Sequence, residues 1–147
     1  MIFYKDFSVT TRERFDVVDV TGDVFSVVQA SGVVNGTVLV FCPHTTCSVI
    51  VAANDPRLAH TLRSAMQQIA PEDAYYAHDD LAIRTQNLVE NEPANGPAHI
   101  MNAVMGKTSE CIPVTGGQLS LANGQRIMFV EFDSARSRQY CIQITGE

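Results

Sequence analysis

The C-terminal part of the chain carries four short strand-like runs, Cys111–Val114, Gln118–Leu121, Arg126–Phe132 and Gln139–Ile144, separated by turn signals that include Gly116-Gly117 and Asn123-Gly124. Glycine and asparagine tolerate the positive φ angles of tight turns, so this spacing predicts strands joined by hairpins. The N-terminal part reads in the same way. Phe3–Val9 and Phe15–Val20 look like strands, and valine-rich Thr37–Cys42 and Cys47–Ala53 flank the turn Pro43-His44-Thr45-Thr46. Helical patterns fall between these groups. Thr21 is placed to cap a helix over Asp23–Ala30, with Val24, Val27 and Val28 on one face and Gly32 beyond its end. Asp55 and Pro56 open a second helix, along which Leu58, Leu62, Ala65, Met66 and Ile69 recur at three- and four-residue spacing before Pro71. Pro97 opens a third, with Ile100, Met101, Val104 and Met105 inward and Gly106 as a left-handed C-cap. Strands at both ends with helices between them predict an α+β layered fold and argue against a doubly wound α/β one.

At 147 residues, with no repeat or linker, the expected organisation is one domain over 1–147. Apolar runs are far shorter than the roughly 20 residues of a membrane helix. The opening residues MIFYKDFSVTTRER lack the apolar core of a signal peptide, so the expected location is cytoplasmic. The net charge of −6, from 16 acidic and 10 basic residues, disfavours a nucleic-acid partner, whose phosphates would demand a basic surface. Much of the excess lies between Glu72 and Glu92, where six carboxylates accompany Arg84 alone. That segment reads either as a solvated loop or as an acidic rim holding a cation. Cys42, Cys47, Cys111 and Cys141 form no C-x-x-C pair and are expected to be buried structural thiols, with no cysteine-type zinc site.

Four polar groupings carry the chemistry. His44-Thr45-Thr46 sits at the mouth of two strands, where an imidazole, hydroxyls and backbone N–H groups suit an oxyanion, or simply cap a turn. His78-Asp79-Asp80 joins an imidazole to carboxylates, and the alternative is an exposed loop histidine. His99 lies in the first turn of a helix, whose dipole favours the neutral, metal-binding imidazole; a surface histidine is the plainer reading. Glu131 shares a strand face with Ile127 and Phe129 and therefore needs a partner or a function. Arg136 and Arg138 are the natural partners, and two guanidiniums beside a turn also suit phosphate or pyrophosphate. A Cys47–His44 dyad is not expected, because strand neighbours rarely meet in that way. No G-x-S-x-G, P-loop or G-x-G-x-x-G motif occurs.

These segments, taken in order, resemble the YjbQ-like family. His44-Thr45-Thr46-Cys47-Ser48-Val49 is similar to its His-Thr-Thr/Ser-Ala-Ser block, and Asn54-Asp55 stands at its Asn-Glu. Pro71-Glu72-Asp73, His78-Asp79-Asp80 and Pro97-Ala98-His99-Ile100 resemble its Pro-Glu-Asp, His-Asn/Asp-Asp and Ala-His-Ile/Leu segments. Ile112-Pro113-Val114 with Gly116-Gly117-Gln118-Leu119-Ser120-Leu121 is similar to its Ile-Pro-x-x-Gly-Gly-x-Leu-x-Leu signature. Glu131-Phe132-Asp133 with Arg136 and Arg138 resembles its Glu-Phe-Asp-Gly-Pro-Arg-x-Arg corner.

The resemblance implies a sandwich of mainly antiparallel strands with two or three helices, a homotrimer, and a polar cleft near a subunit boundary. It also implies thiamine-phosphate-synthase-type activity, in which a thiazole nitrogen displaces pyrophosphate from an aminopyrimidine. On that reading a small phosphorylated metabolite is the ligand. His44, Thr45, Asp55 and Glu131 are the catalytic candidates, and Thr46, Gln125, Arg136 and Arg138 the substrate-binding ones. His44, His78 and His99 are candidate ligands of a divalent metal, zinc-like or magnesium, because neutral imidazole suits such ions. The alternative is a non-enzymatic module that binds a small anion or a partner in the same cleft. The chain departs from the family where Leu-Gly-Thr-Trp-Gln reads Leu121-Ala122-Asn123-Gly124-Gln125, leaving no tryptophan at all. Ser134-Ala135 replaces Gly-Pro, and Asp55 replaces the glutamate. Losing the aromatic ring is expected to widen the pocket.

Overall fold

The computed structural model describes residues 1–147. In chain order the elements are β1 (Ile2–Thr10), β2 (Val17–Asp19), α1 (Thr21–Ser31), β3 (Gly36–Phe41), β4 (Cys47–Ala53), α2 (Pro56–Ile69), a 3-10 turn (Ala77–Asp79), α3 (Gly96–Met105), β5 (Ser109–Thr115), β6 (Gln118–Leu119), β7 (Gln125–Glu131) and β8 (Ser137–Gly146). They form a five-stranded sheet ordered β1-β8-β3-β5-β6 and a three-stranded sheet ordered β2-β7-β4. Every strand pair is antiparallel. With three helices added, this is the expected α+β class.

Period-2 alternation builds the layers. Along β8, Arg138, Tyr140, Ile142 and Ile144 point inward and their neighbours outward. Tyr140, Ile142 and Ile144 meet Val24, Val27 and Val28 of α1, together with Ile127 and Phe129 of β7, in the main core between the sheets. The other face of β7 places Val130, followed by Phe132, in a second cluster with Phe15, Met66 of α2 and Ala98 and Met101 of α3. β7 is therefore covered on both faces, which explains its unbroken apolar run in Ile127–Val130.

Several local expectations change. Thr21 is the first helical residue and caps nothing; Val20 is the N-cap, without a side-chain bond. The Thr21 N–H donates to Asp19 Oδ1 at 2.9 Å, and its hydroxyl accepts the Ile127 N–H at 2.8 Å. Phe15 adopts φ 61°, so β2 starts later than expected and the Phe15 ring packs edge-on against Phe132 at 5.7 Å. Gly106 is extended, φ −68° and ψ 141°, and is no left-handed cap. The apolar rows of α2 and α3 are only partly used: Met66 and Met101 are buried, whereas Leu58 (47%), Ile69 (51%) and Val104 (60%) remain exposed. Both helices lie on the outer side of a sheet only three strands wide, which covers a narrow stripe of each.

Candidate functional site

Where β7 ends and β8 begins, the apolar core gives way to charge. Glu131 continues the inward face of β7 and is fully buried, opposite Cys47 in the β4–β7 register. Arg138, the first inward residue of β8, answers it with two parallel bonds, Nε to Oε1 at 2.8 Å and Nη2 to Oε2 at 2.6 Å. The Thr11 hydroxyl donates to Oε1 at 2.9 Å and the Asp133 N–H to Oε2 at 3.2 Å. All of the carboxylate's capacity is thus used internally. Glu131 is the residue that holds Arg138 in place, and it sits behind the cleft wall.

Above this pair opens a cleft of about 600 Å³ whose wall includes His44, Thr45, Thr46, His78, His99 and Arg136. Arg138 also lines it and donates through Nη2 to Thr46 Oγ1 at 2.8 Å, while its Nη1 makes no hydrogen bond within the protein. Arg136 is oriented by Asp133 Oδ2 at 2.9 Å and Ser134 Oγ at 2.8 Å. His44 Nε2 accepts the Gln139 N–H at 3.1 Å, which fixes the neutral ring as the Nδ1–H tautomer and leaves that N–H as its free donor.

The opposite wall comes from the segment before α3. His78 Nδ1 lies 3.0 Å from Asp79 Oδ1, and the His78 and His99 rings are 4.4 Å apart. The Asp79 carboxylate also accepts the Gly96 N–H at 2.9 and 3.2 Å, so it caps α3 from a distance. This frees Asn95, the N-cap residue, to donate to Asp133 Oδ2 at 2.8 Å. Arg84 fastens the intervening loop: it pairs with Glu92 and donates to the carbonyls of His78 at 3.1 Å and Asn87 at 2.6 Å. Arg84, Glu92 and Asn95 line the cleft and were not singled out as site residues from the sequence. The available signal was Arg84, the lone cation in an acidic stretch. Asp79, Asp80 and Glu92 serve as internal acceptors, so these three are not simply solvated loop carboxylates.

Two candidates lie elsewhere. β4 carries the chain from Cys47 to Ala53, beside Asp55, roughly 20 Å at the rise of an extended strand. Gln125 begins β7 while Glu131 ends it, and Gln125 pairs with Ala53 at that same far end. Asp55 instead caps α2, accepting the Arg57 N–H at 2.9 Å, and Gln125 Oε1 accepts the Ala122 N–H at 2.8 Å. Gly124, at the position of the family tryptophan, shares this end, so its lack of a ring leaves the width of this cleft unchanged. An Asp55→Ala variant is expected to lose stability with the cap. Its ligand binding should equal wild type, checked by urea denaturation and titration in parallel.

The three histidines share the cleft, but they do not fit a three-imidazole metal centre. The His44 Nε2 lone pair is engaged by Gln139, and no group of three or more His, Cys, Asp or Glu side chains is placed to hold an ion. The adjacent His78 and His99, with Asp79 behind them, are the residues that could contribute ligands.

Burial, reinforced by the Arg138 charge, holds the His44 imidazole below its ordinary range; burial and then His78 do the same for His99. Both are neutral near pH 7. As pH falls through about 6.5, the unfolded chain takes up protons that the folded cleft resists, so this contribution to stability is whole above that value and declines below it. Urea midpoints are expected to drop between roughly pH 7 and pH 5, and a His44→Asn/His99→Asn pair should flatten that slope.

A profile of the family described as UPF0047 protein YjbQ-like matches residues 5–147. The chain belongs to this family. A UPF0047 protein of Methanothermobacter thermautotrophicus is 28% identical over 146 residues, covering 99% of this chain and 94% of the relative. A Synechocystis UPF0047 protein is 35% identical over 125 residues, covering 83% and 78%. Among solved structures, a YbjQ-like protein of unknown function from Sulfolobus solfataricus superposes with a TM-score of 0.85 at 26% identity, covering 100% of this chain and 99% of that one. A hypothetical protein from Aeropyrum pernix also reaches 0.85, at 35% identity with 99% of each chain covered. The YjbQ-like fold thus spans the whole chain, and no helix is long and apolar enough to cross a membrane.

Proposed function

We propose that this YjbQ-like protein binds a small phosphorylated metabolite in the cleft and acts on it by thiamine-phosphate-synthase-type chemistry. In that reaction the thiazole nitrogen forms a C–N bond as the C–O bond to pyrophosphate breaks. The step needs no base. It needs positive charge and donors around the departing oxyanion. The observation that carries the reading is Arg138, locked by Glu131 with Nη1 free at the cleft, beside Arg136 and the His44 Nδ1–H donor. A guanidinium already fixed in place loses little freedom on binding, so its charge is available at low entropic cost. Thr45 and Thr46 add hydroxyls to the same wall. A divalent cation carried in on pyrophosphate would meet His78 and His99, where phosphate oxygens complete a shell that the protein alone does not.

The exposed Leu81, Ile83 and Val89 of the loop before α3, together with Ile100 and Val104 of α3, are the apolar surface that the homotrimer implied by the family likeness would cover. The test is calorimetric titration with pyrophosphate. Wild type should bind, and Arg136→Ala should bind at least about tenfold more weakly, the loss expected for a charge-assisted bond. Equal affinities would remove Arg136 from the site. Turnover of the two precursors to thiamine phosphate separates an enzyme from a binding module.

A further inference from the structure

The loop that presents His44, Thr45 and Thr46 is bracketed by two cysteines. Cys42 follows β3 in the five-stranded sheet, and Cys47 opens β4 in the three-stranded sheet. Their sulfurs are 3.6 Å apart, in contact, and both side chains are fully buried. The other thiols are unlike them: Cys111 is exposed and Cys141 half-buried, against the expectation of four buried ones.

We propose that Cys42 and Cys47 form a reversible oxidation site, whose disulfide staples the two sheets across the loop and reshapes the cleft. With a peroxide as oxidant, the Cys42 thiolate attacks one oxygen and becomes a sulfenic acid, releasing hydroxide. The Cys47 thiol then attacks that sulfur and water leaves. Two thiols and hydrogen peroxide thus give one disulfide and two waters. The contact with Cys47 draws the Cys42 thiol toward ionisation, the state in which it can attack peroxide.

Closing the bond shortens the gap from 3.6 Å to about 2.05 Å. Each end is tethered: the Cys42 N–H to Thr108 O at 2.7 Å, and the Thr46 carbonyl to the Phe132 N–H at 3.0 Å. The contraction therefore falls on the loop between them, whose Thr46 hydroxyl holds Arg138. Burial sets the pace, since peroxide reaches the pair only when the loop opens.

The test uses the intact protein. Trypsin leaves Cys42 and Cys47 together on Phe15–Arg57, separate from Cys111 and Cys141. After hydrogen peroxide, unfolding and alkylation, that peptide is expected two hydrogens lighter and unalkylated, and restored by dithiothreitol. Cys47→Ala should abolish the lighter peptide. If both thiols still alkylate once the exposed Cys111 is fully oxidised, the proposal is overturned. Oxidised protein should also bind pyrophosphate about tenfold more weakly, as a displaced anchoring loop would cause; unchanged affinity would overturn the link to the cleft. This last arm rests on the anion-binding reading. Failure of the reduced protein to bind pyrophosphate would count against that reading, with the peptide result still deciding the disulfide.

Discussion

Replacing Glu131 with alanine is expected to destabilise the fold by about 3–5 kcal/mol, since it strands the Arg138 guanidinium without a countercharge at the edge of the core. For a chain of this size that corresponds to a fall of about 10 °C in the midpoint of thermal unfolding. The Thr11 hydroxyl and the Asp133 N–H lose their acceptor in the same stroke. The cost belongs to the unpaired charge, so removing both partners should recover most of it. A Glu131→Leu/Arg138→Met double variant is expected within about 2 kcal/mol of wild type, because well-packed apolar groups replace a desolvated pair with little loss. Urea denaturation of wild type, Glu131→Leu, Arg138→Met and the double variant forms a double-mutant cycle. Equal losses in the single and double variants would show that side-chain volume, and not charge, is what the site requires. Pyrophosphate binding should fail in both, separating the structural role of the pair from its part in the cleft.

Gly96→Ala is the second large effect. A Cβ there would lie 2.6 Å from Tyr76 Cβ, 2.8 Å from Tyr76 Cγ and 2.9 Å from Asp79 Oδ2. The first atom is fixed close to the backbone, so the clash is relieved only by moving the 3-10 turn away from α3. Overpacking of this kind costs about 1–3 kcal/mol, and here it also pulls Asp79 from the Gly96 N–H and His78 from His99. The measurable signature is twofold: a lower unfolding midpoint, and a changed NMR titration of His99, which burial and then the neighbouring His78 hold below its ordinary range. An unaltered His99 titration would show that the turn and the helix move as one, without loosening the pair.

The strands were legible because their signals are local. Valine alternation and glycine turns placed all eight to within a few residues, with Cys47–Ala53 matching β4 at both ends. Asp55-Pro56 fixed the start of α2 for the same reason: a cap and a first-turn proline act on adjacent backbone. The inward faces of α2 and α3 were over-read, since periodicity reports an apolar stripe without saying how wide a sheet lies beneath it.

In the site, His44, His78, His99, Arg136 and Arg138 were visible as residue types, and the fold brings them to one cleft. Asp55 and Gln125 illustrate the limit. They lie near other site motifs in the sequence, but a strand carries its two ends far apart in space. Asn95 was missed because its role depends on Asp79 taking over the cap of α3, a long-range exchange that no local pattern announces.

The length of β7 has a consequence for how such a sequence drifts. One end anchors the buried ion pair and the other carries the Asn123-Gly124 turn, with the full strand as spacer. Changes at the two poles combine without interfering, as separated sites do. The turn is therefore free to lose an aromatic ring, and to explore new surfaces, while the guanidinium pole stays under its own constraint.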